Sequence, residues 1–438
     1  MQKYLAFLFF IVAGNLCAQS YQWISTNSPA TAYRFEDIYF LNKDTGFAVH
    51  YPVNITYPGY IARTLDGGLT WTKVLDSTIF TFRDVCFTDN LHGWVGTYQN
   101  NNISPDTNVL YQTVDGGNTW TGVVNLPGPP NAGICGLRVI NDSTVYGVGR
   151  YSGPASFFKT TDNGITWTYS NLNLLIKGLV DIFFFDKDTG FIVGTSGPAY
   201  NTGHGKILYT TDGGNTWTPV YTSSYQDCLG WKISFPSRYI GYCSMQFFNS
   251  SLQQAFMKTT DGGITWQDIP YSSGGPPPGY DVEGLGFIND TTGWVGGATG
   301  TYFTQNGGNS WTLQSWGNNV NRFRFLSDSV AYCAGQNIYK MHLSPAGISV
   351  LENNNNPKSY PNPVSEYGYF EFFLDKPSQA KLSVFDISGK EVLVLFDKML
   401  DYGNQHYVWE TSSLAPGVYT YRLIYNNEVL SQKLIIAR

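Results

Sequence analysis

The sequence predicts an all-β chain: a ring of seven four-stranded blades closed by the N-terminal strand, followed by a small immunoglobulin-like β-sandwich. Three observations carry this. Charged residues make up 13% of the 438 positions while aromatics reach 16% and glycines number 47, a mixture suited to short strands joined by tight turns. One thirteen-residue hairpin pattern recurs seven times without a gap, starting at Asp37, Asp84, Gly136, Asp181, Lys232, Gly284 and Arg322. A second motif, typified by TTDGGNTW at 210–217, recurs only six times. A four-stranded unit about every 45 residues is the period of a β-propeller blade.

The chain opens on MQKYLAFLFFIVAGNLCAQS, with one lysine, an apolar run from Tyr4 to Ala13 and small residues around Ala18. This is the layout of a cleavable secretory signal, expected over residues 1–18. The run is too short for a permanent membrane helix, so no transmembrane segment is expected after cleavage. Gly14, Asn15 and Leu16 ahead of Cys17 do not fit a lipoprotein site. The formal net charge of -6 comes without a basic block, which argues against nucleic-acid binding. Cys86, Cys135, Cys228, Cys243 and Cys333 are scattered and lack CxxC spacing. They are expected to be buried free thiols, with no disulfide framework and no zinc site.

The propeller is expected over residues 19–343. In the seven hairpins the second column is always apolar, as in Ile38, Val85 and Ile182, and so is the fourth, as in Phe40, Phe87 and Phe184. The eleventh column is always aromatic: Phe47, Trp94, Tyr146, Phe191, Tyr242, Trp294 and Tyr332. Apolar residues two apart mark one face of a strand, and the polar stretch before the aromatic marks a turn into a second strand. Each unit continues into a third strand, the DGGNT-like turn and a fourth strand opening at Trp. The last unit has a third strand, NIYKMHL, but no box after it. The segment YQWISTNS, whose Trp23 resembles the box tryptophans, is therefore expected to complete the seventh blade, which leaves the ring without an exposed edge.

The box has a mechanical explanation. An aspartate in a hairpin turn accepts hydrogen bonds from the backbone N–H groups that follow it, and the glycines take positive φ angles. The Trp is expected to bury its ring between the strands of its own blade. The pairs are Asp66 and Trp71, Asp115 and Trp120, Asp162 and Trp167, Asp212 and Trp217, Asp261 and Trp266, and finally Asn306 and Trp311. These motifs resemble the Asp-box, or BNR repeat, of sialidases and other propellers. The resemblance implies that they are structural and lie away from any active site. Asn306 in place of the acid suits a turn and not a catalytic carboxylate. A calcium loop needs several oxygen ligands at alternating positions, and Asp212, Gly214 and Thr216 offer one carboxylate, so no metal is expected.

After residue 343 the stretch SPAGISVLENNNNPKS reads as a linker, 344–359. Residues 360–438 read as alternating strands with short turns. There YPNPV (360–364), KLSVFDISGKEV (381–392), LAPGVYTYRL (414–423) and the ending QKLIIAR resemble the C-terminal sorting domain of Bacteroidetes type IX secretion cargo. The resemblance implies the type IX translocon as a partner and a destination outside the cell or on the outer-membrane surface.

Function is expected on the face opposite the boxes, where second-to-third loops and blade crossings vary in length and are rich in Tyr, Asn, Ser and Gly. Arg34, Arg83, Arg138, Arg322 and Arg324 fall near the starts of inner strands, as candidates to ring the mouth of the central channel. Glu36, Asp37, Asp84 and Asp181 share that region as ion-pair partners. Asp281 and Glu283 form a glycosidase-type pair only if the fold brings a second acid within reach. The histidines at 50, 92, 204, 342 and 406 lack metal-ligand spacing and catalytic partners. Sialidases use six blades and an arginine cluster, which this blade count does not match. Over most of residues 20–343 the box and the G-[FW]-x-V-G strand resemble the photosystem II assembly and stability factor propellers, which implies a fold and a binding mode. No catalytic, cofactor-binding or metal-binding residue is nominated. The expected activity is non-enzymatic binding of a protein or polysaccharide through the loop face; the alternative is a secreted glycoside hydrolase or lyase.

Overall fold

The computed structural model describes residues 20–29, 31, 33–51, 59–77, 81–98, 108–130, 132–272, 274–327, 329–344, 358–360, 362–374, 376–401, 403–425 and 428–437. The expected signal (1–18), nearly all of the expected linker and the loop segments 52–58 and 99–107 lie outside the described residues. The chain divides into two compact units, one over Gln19–Ser344 and one containing Pro345–Arg438.

The first unit is a seven-bladed propeller. Blades one to six are four-stranded antiparallel sheets in simple chain order, beginning with Phe35–Phe40, Gly46–His50, Gly59–Thr64 and Thr72–Ser77. The seventh is built from Arg322–Phe325, Ala331–Ala334 and Ile338–Ser344, and its outer strand is Ser20–Ser25 from the other end of the chain. Trp23 stands opposite Met341 in that antiparallel ladder. This pairing uses the hydrogen-bonding edge that Ile338–Ser344 otherwise leaves open.

The blades are joined by the two sequence repeats working together. The eleventh-column aromatics are all buried, none more than 2% exposed, and each shares a cluster or ring contact with the box-type tryptophan of the following blade. Phe47 meets Trp120 at 6.3 Å, Trp94 meets Trp167 at 6.4 Å and Phe191 meets Trp266 at 6.0 Å between ring centroids. Tyr146 packs with Trp217, Tyr242 with Trp311 and Tyr332 with Trp71. Trp23 completes the circuit by meeting Trp294 at 5.4 Å. The box tryptophans therefore seal joints between blades, which corrects the expectation that they lie within one blade. Trp23 does so from the middle of its strand, whereas each box Trp stands just ahead of its fourth strand.

Each box turn also docks on its neighbours. Asp212 accepts from the Thr216 backbone at 2.9 Å and from its hydroxyl at 2.7 Å, and Thr210 Oγ1 donates to Asp212 at 2.8 Å while accepting from Gly214 N at 3.0 Å. The Thr216 bonds bring the Asp212 carboxyl down to about 2. Gly213 and Gly214 have φ of 67° and 81°, and a Cβ on Gly214 would stand 2.4 Å from the ring of Phe157 in the preceding blade. Lys159 of that blade donates to the Gly213 carbonyl at 3.1 Å. Lys340 to Gly67 at 3.1 Å and Lys258 to Gly307 at 2.8 Å repeat the stitch. Asn306 keeps the turn with changed polarity: its Oδ1 accepts from Ser310 N at 2.9 Å, while its Nδ2 donates to the Ser310 hydroxyl at 2.8 Å. The five cysteines among the described residues are buried free thiols.

The second unit is a sandwich. A three-stranded sheet of Lys358–Tyr360, Tyr367–Leu374 and Gly403–Glu410 faces a four-stranded sheet of Ser378–Phe385, Glu391–Leu400, Gly417–Tyr425 and Glu428–Ile436. Their shared core includes Phe370, Phe372, Leu382, Trp409, Tyr421 and Leu434.

Candidate binding site

In every blade with a box, the box turn is hydrogen-bonded to the turn between the first and second strands, as in Gly213 N to Asp188 O at 2.9 Å and Gly67 N to Asp44 O at 2.8 Å. These turns define one face of the ring. The opposite face carries the second-to-third loops and the blade crossings, and the inner strands begin there.

On the loop face a cavity of about 340 Å³ opens over the channel. Its wall is aromatic: Tyr33 and Tyr51 from blade one, Tyr151, Tyr200, Trp231 and Phe248 from blades three to five. Tyr200 packs edge-on against Tyr151 at 5.4 Å and Phe248 at 5.1 Å, and Tyr33 lies 5.7 Å from Tyr51. The floor is polar, formed by Arg34, Glu36, Arg83 and Gln246. Glu36 is fully buried and receives Arg34 at 2.7 Å and Arg83 at 2.9 Å. Burial alone would raise the Glu36 carboxyl, but the two guanidiniums outweigh it and hold it below the usual carboxylate range. Arg34 also pairs with Glu283. Gln246 Nε2 donates to both Asp281 and Glu283 at 3.0 Å, so the fold does bring these two acids around one amide. Trp231 Nε1 donates to Asn321 at 2.6 Å, and Asn321 in turn donates to the Glu36 carbonyl at 2.7 Å.

Below this floor the channel is filled with charge. Arg322 pairs with Asp37, Asp84 and Asp181, each at 3.0 Å. Arg324 reaches Asp37 at 2.9 Å and Asp84 at 3.6 Å. Burial and the charge of Asp37 push the Asp84 carboxyl well up, whereas Arg324 and Arg322 overcome burial at Asp37 and keep it ionised. Burial also opposes the charge on Asp181, but Arg322 and Lys232 hold its carboxyl down. Arg138 donates to the Phe184 carbonyl at 3.2 Å and lies 4.7 Å over the Phe183 ring. Burial, with repulsion from Arg324, lowers its guanidinium to about 10. At the turn-face end Arg324 helps line a second hollow of about 500 Å³.

Of the five arginines expected around the channel mouth, the structure places only Arg34 and Arg83 at the loop-face cavity. Arg322 lies deeper, and Arg324 and Arg138 lie toward the turn face. Lys232, which opens the fifth hairpin, also joins this cluster, 1% exposed. Sequence reasoning passed over Lys232 because it stands in a column otherwise occupied by Asp, Gly and Arg. The aromatic wall was missed for another reason. Its members come from loops, strand ends and one strand interior of four blades, with no shared spacing. Among the described residues no cluster of His, Cys, Asp and Glu is arranged to hold a metal, and no helix is long and apolar enough to cross a membrane.

Residues 358–437 match the family described as the secretion system C-terminal sorting domain. No curated protein sequence matches the chain. Among solved structures, YCF48 from Cyanidioschyzon merolae is similar over 74% of this chain and 99% of its own, with 18% identity and a TM-score of 0.53. YCF48 bound to D1 peptide is similar over 74% and 95%, with 18% identity and a TM-score of 0.51. The extracellular domain of the one-component system BT4673 from B. thetaiotaomicron is similar over 96% of this chain and 60% of its own, with 10% identity and a TM-score of 0.52. These likenesses establish the propeller fold, and the sorting domain marks the protein for secretion or the cell surface. The chain is thus a β-propeller, similar in fold to the photosystem II assembly factor YCF48, that carries a type IX secretion sorting domain at its C-terminus.

Proposed function

We propose that this exported propeller is a non-enzymatic binding protein that takes a protein or polysaccharide ligand on its loop face. The supporting observation is the aromatic cavity over the channel: a preformed concave site with apolar walls and a few convergent polar groups is where ligands bind. The turn face is used differently, since its boxes are committed to joining blades. That division suits the structural role of an Asp-box, with export through the type IX translocon following removal of residues 1–18.

The second reading, a glycoside hydrolase or lyase, has one observation in its favour: Asp281 and Glu283 lie around the same Gln246 amide at the cavity. Against it, Gln246 occupies the space between them and Glu283 is engaged by Arg34. Glu36, the acid on the floor, is held ionised and is a poor proton donor.

The test is a glycan-array and protein-capture screen of the mature chain alongside a hydrolysis assay. Saturable binding weakened by Tyr200→Ala, without product release, supports the reading. Release of reducing sugar or an unsaturated product replaces it with the enzyme.

A further inference from the structure

Given the loop-face site proposed above, on which this reading rests, we propose that the aromatic cavity takes the uncharged end of a glycan chain, a neutral pyranose held among its rings.

The rings stand on both sides of the mouth. Tyr33 and Tyr51 belong to blade one, which lies across the ring from blades four and five, the carriers of Tyr200 and Phe248. Tyr33 and Tyr200 are each 38% exposed, so both sides offer aromatic surface to a ligand. Tyr200 is held edge-on between Tyr151 at 5.4 Å and Phe248 at 5.1 Å, and the Trp231 indole is fixed by its hydrogen bond to Asn321 at 2.6 Å. The wall is therefore ordered before a ligand arrives, which limits the ordering cost of binding. Its ring faces carry partial negative charge and suit the C–H face of a pyranose, whose hydrogens are partly positive.

The polar groups left open at the cavity are neutral. The hydroxyls of Tyr33, Tyr51 and Tyr200 make no hydrogen bond with any described residue, whereas the blade-joining Tyr146, Tyr242 and Tyr332 each donate to a backbone carbonyl. Asp281 and Glu283 draw the Gln246 amide nitrogen to themselves at 3.0 Å, which leaves its Oε1 as an acceptor at the cavity. A tyrosine hydroxyl both donates and accepts, as a sugar hydroxyl does.

The charged groups of the floor are spent on one another. Arg34 is taken by Glu36 and Glu283, and Arg83 by Glu36, so a ligand carboxylate would give up its water and meet a closed ion-pair cluster. A ligand cation fares no better. Arg34 already lies 5.1 Å over the Tyr33 ring and Arg83 lies 5.5 Å from the Trp231 ring, which puts like charge against the same wall. A peptide held by backbone pairing needs an exposed strand edge or a long groove, and this cavity is walled by side chains. At about 340 Å³ it is near the lower end of small-ligand sites, so it takes the end of a chain and not a long stretch.

The experiment is a glycan array probed with the mature full-length protein, carrying neutral hexose, pentose and N-acetylhexosamine oligosaccharides beside uronic-acid and free amino-sugar ones. Calorimetry then follows the best-bound neutral tetrasaccharide and, separately, tetragalacturonate. Neutral ends are expected to bind, and acidic and amino-sugar ends to bind at least tenfold more weakly. Tyr33→Ala and Tyr200→Ala are each expected to weaken the neutral sugar about tenfold, with melting temperatures read in parallel to show that the variants fold. Glu283→Gln removes one floor carboxylate and is expected to improve tetragalacturonate relative to the neutral sugar. Preference of the parent for acidic or amino sugars overturns the neutral assignment, and an unchanged ranking in a folded Glu283→Gln protein overturns the role of the floor in selection. Neutral-sugar binding that neither tyrosine variant weakens overturns the cavity as the site. Binding of no glycan, with capture of a protein that Tyr200→Ala abolishes, overturns the glycan assignment and leaves the loop-face reading standing. Binding of nothing at that face overturns both.

Discussion

Arg322 of the seventh blade grips Asp181 of the fourth through two parallel hydrogen bonds, Nη1 to Oδ2 at 3.1 Å and Nη2 to Oδ1 at 3.0 Å. The residues are 141 positions apart and come from opposite sides of the ring. The bidentate geometry fixes direction as well as distance, so the channel is braced across its diameter by charge, while neighbouring blades are joined at the periphery by aromatic rings.

Removing Arg322 is expected to be severe. Arg322→Met leaves Asp37 and Asp84 with Arg324 and Asp181 with Lys232 as the remaining nearby cations, and breaking such a cluster from one side costs about 3–5 kcal/mol. Urea denaturation should show the unfolding free energy falling by that amount, with a lower midpoint. An unchanged midpoint would mean that the brace contributes nothing.

The acid limb of stability should follow the channel carboxylates. Glu36, Asp37 and Asp181 have folded pKa values below their unfolded ones. Their contribution is therefore present above about pH 4 and is lost as pH falls toward the folded values. Asp84 runs the other way. Its raised pKa means that its favourable protonated state is matched by the unfolded chain only at low pH, and stability is lost as pH rises from about 4 toward the folded value. Thermal melts of Asp84→Asn should accordingly show a gain near neutral pH that disappears below about pH 4.

Between about pH 8 and the unfolded lysine value the native Lys232 is neutral while the unfolded one is charged, so this residue makes stability rise with pH across that window. Buried cysteines and tyrosines pull in the opposite direction, and so the difference between parent and Lys232→Met isolates the lysine. The parent is expected to gain on the variant as pH rises above 8. Parallel curves would contradict the lowered lysine.

The blade joint should be sensitive to single atoms. Gly214→Ala puts a Cβ against Phe157 at a residue with φ of 81°, for an expected loss of about 2–4 kcal/mol from strain and overpacking together. Trp217→Ala opens the same joint from the same blade and should cost about 3–5 kcal/mol. Chemical denaturation measures both, and losses below 1 kcal/mol would contradict the joint as described.

Closure and export are separable. Deleting residues 19–27 exposes the edge of Ile338–Ser344, and the product is expected to self-associate in size-exclusion chromatography with light scattering. A chain ending near Leu351 keeps the propeller but lacks the sorting domain at 358–437. It is expected to accumulate in the periplasm, and unchanged export would sink the assignment of the tail as the address.

Much of the architecture is legible because it is periodic. An aromatic at the eleventh column and a Trp after each box are repeated demands on the chain, and an absent seventh box points to the strand holding Trp23. The site is not periodic. Tyr33, Tyr51, Tyr151, Tyr200, Trp231 and Phe248 meet only because four blades deliver them to one mouth. Their positions in the sequence share no spacing by which to find them.

By itself, then, the sequence determined the blade count, the exchange of the outer strand and the sorting tail, since each rests on local patterns that strand alternation and turn chemistry make readable. Tertiary structure alone decided which charges share the channel. Asp37, Asp84, Asp181 and Arg322 are far apart in the chain and converge on the axis of the ring. There burial makes each charge depend on its partners, as Asp181 depends on Arg322 and Lys232.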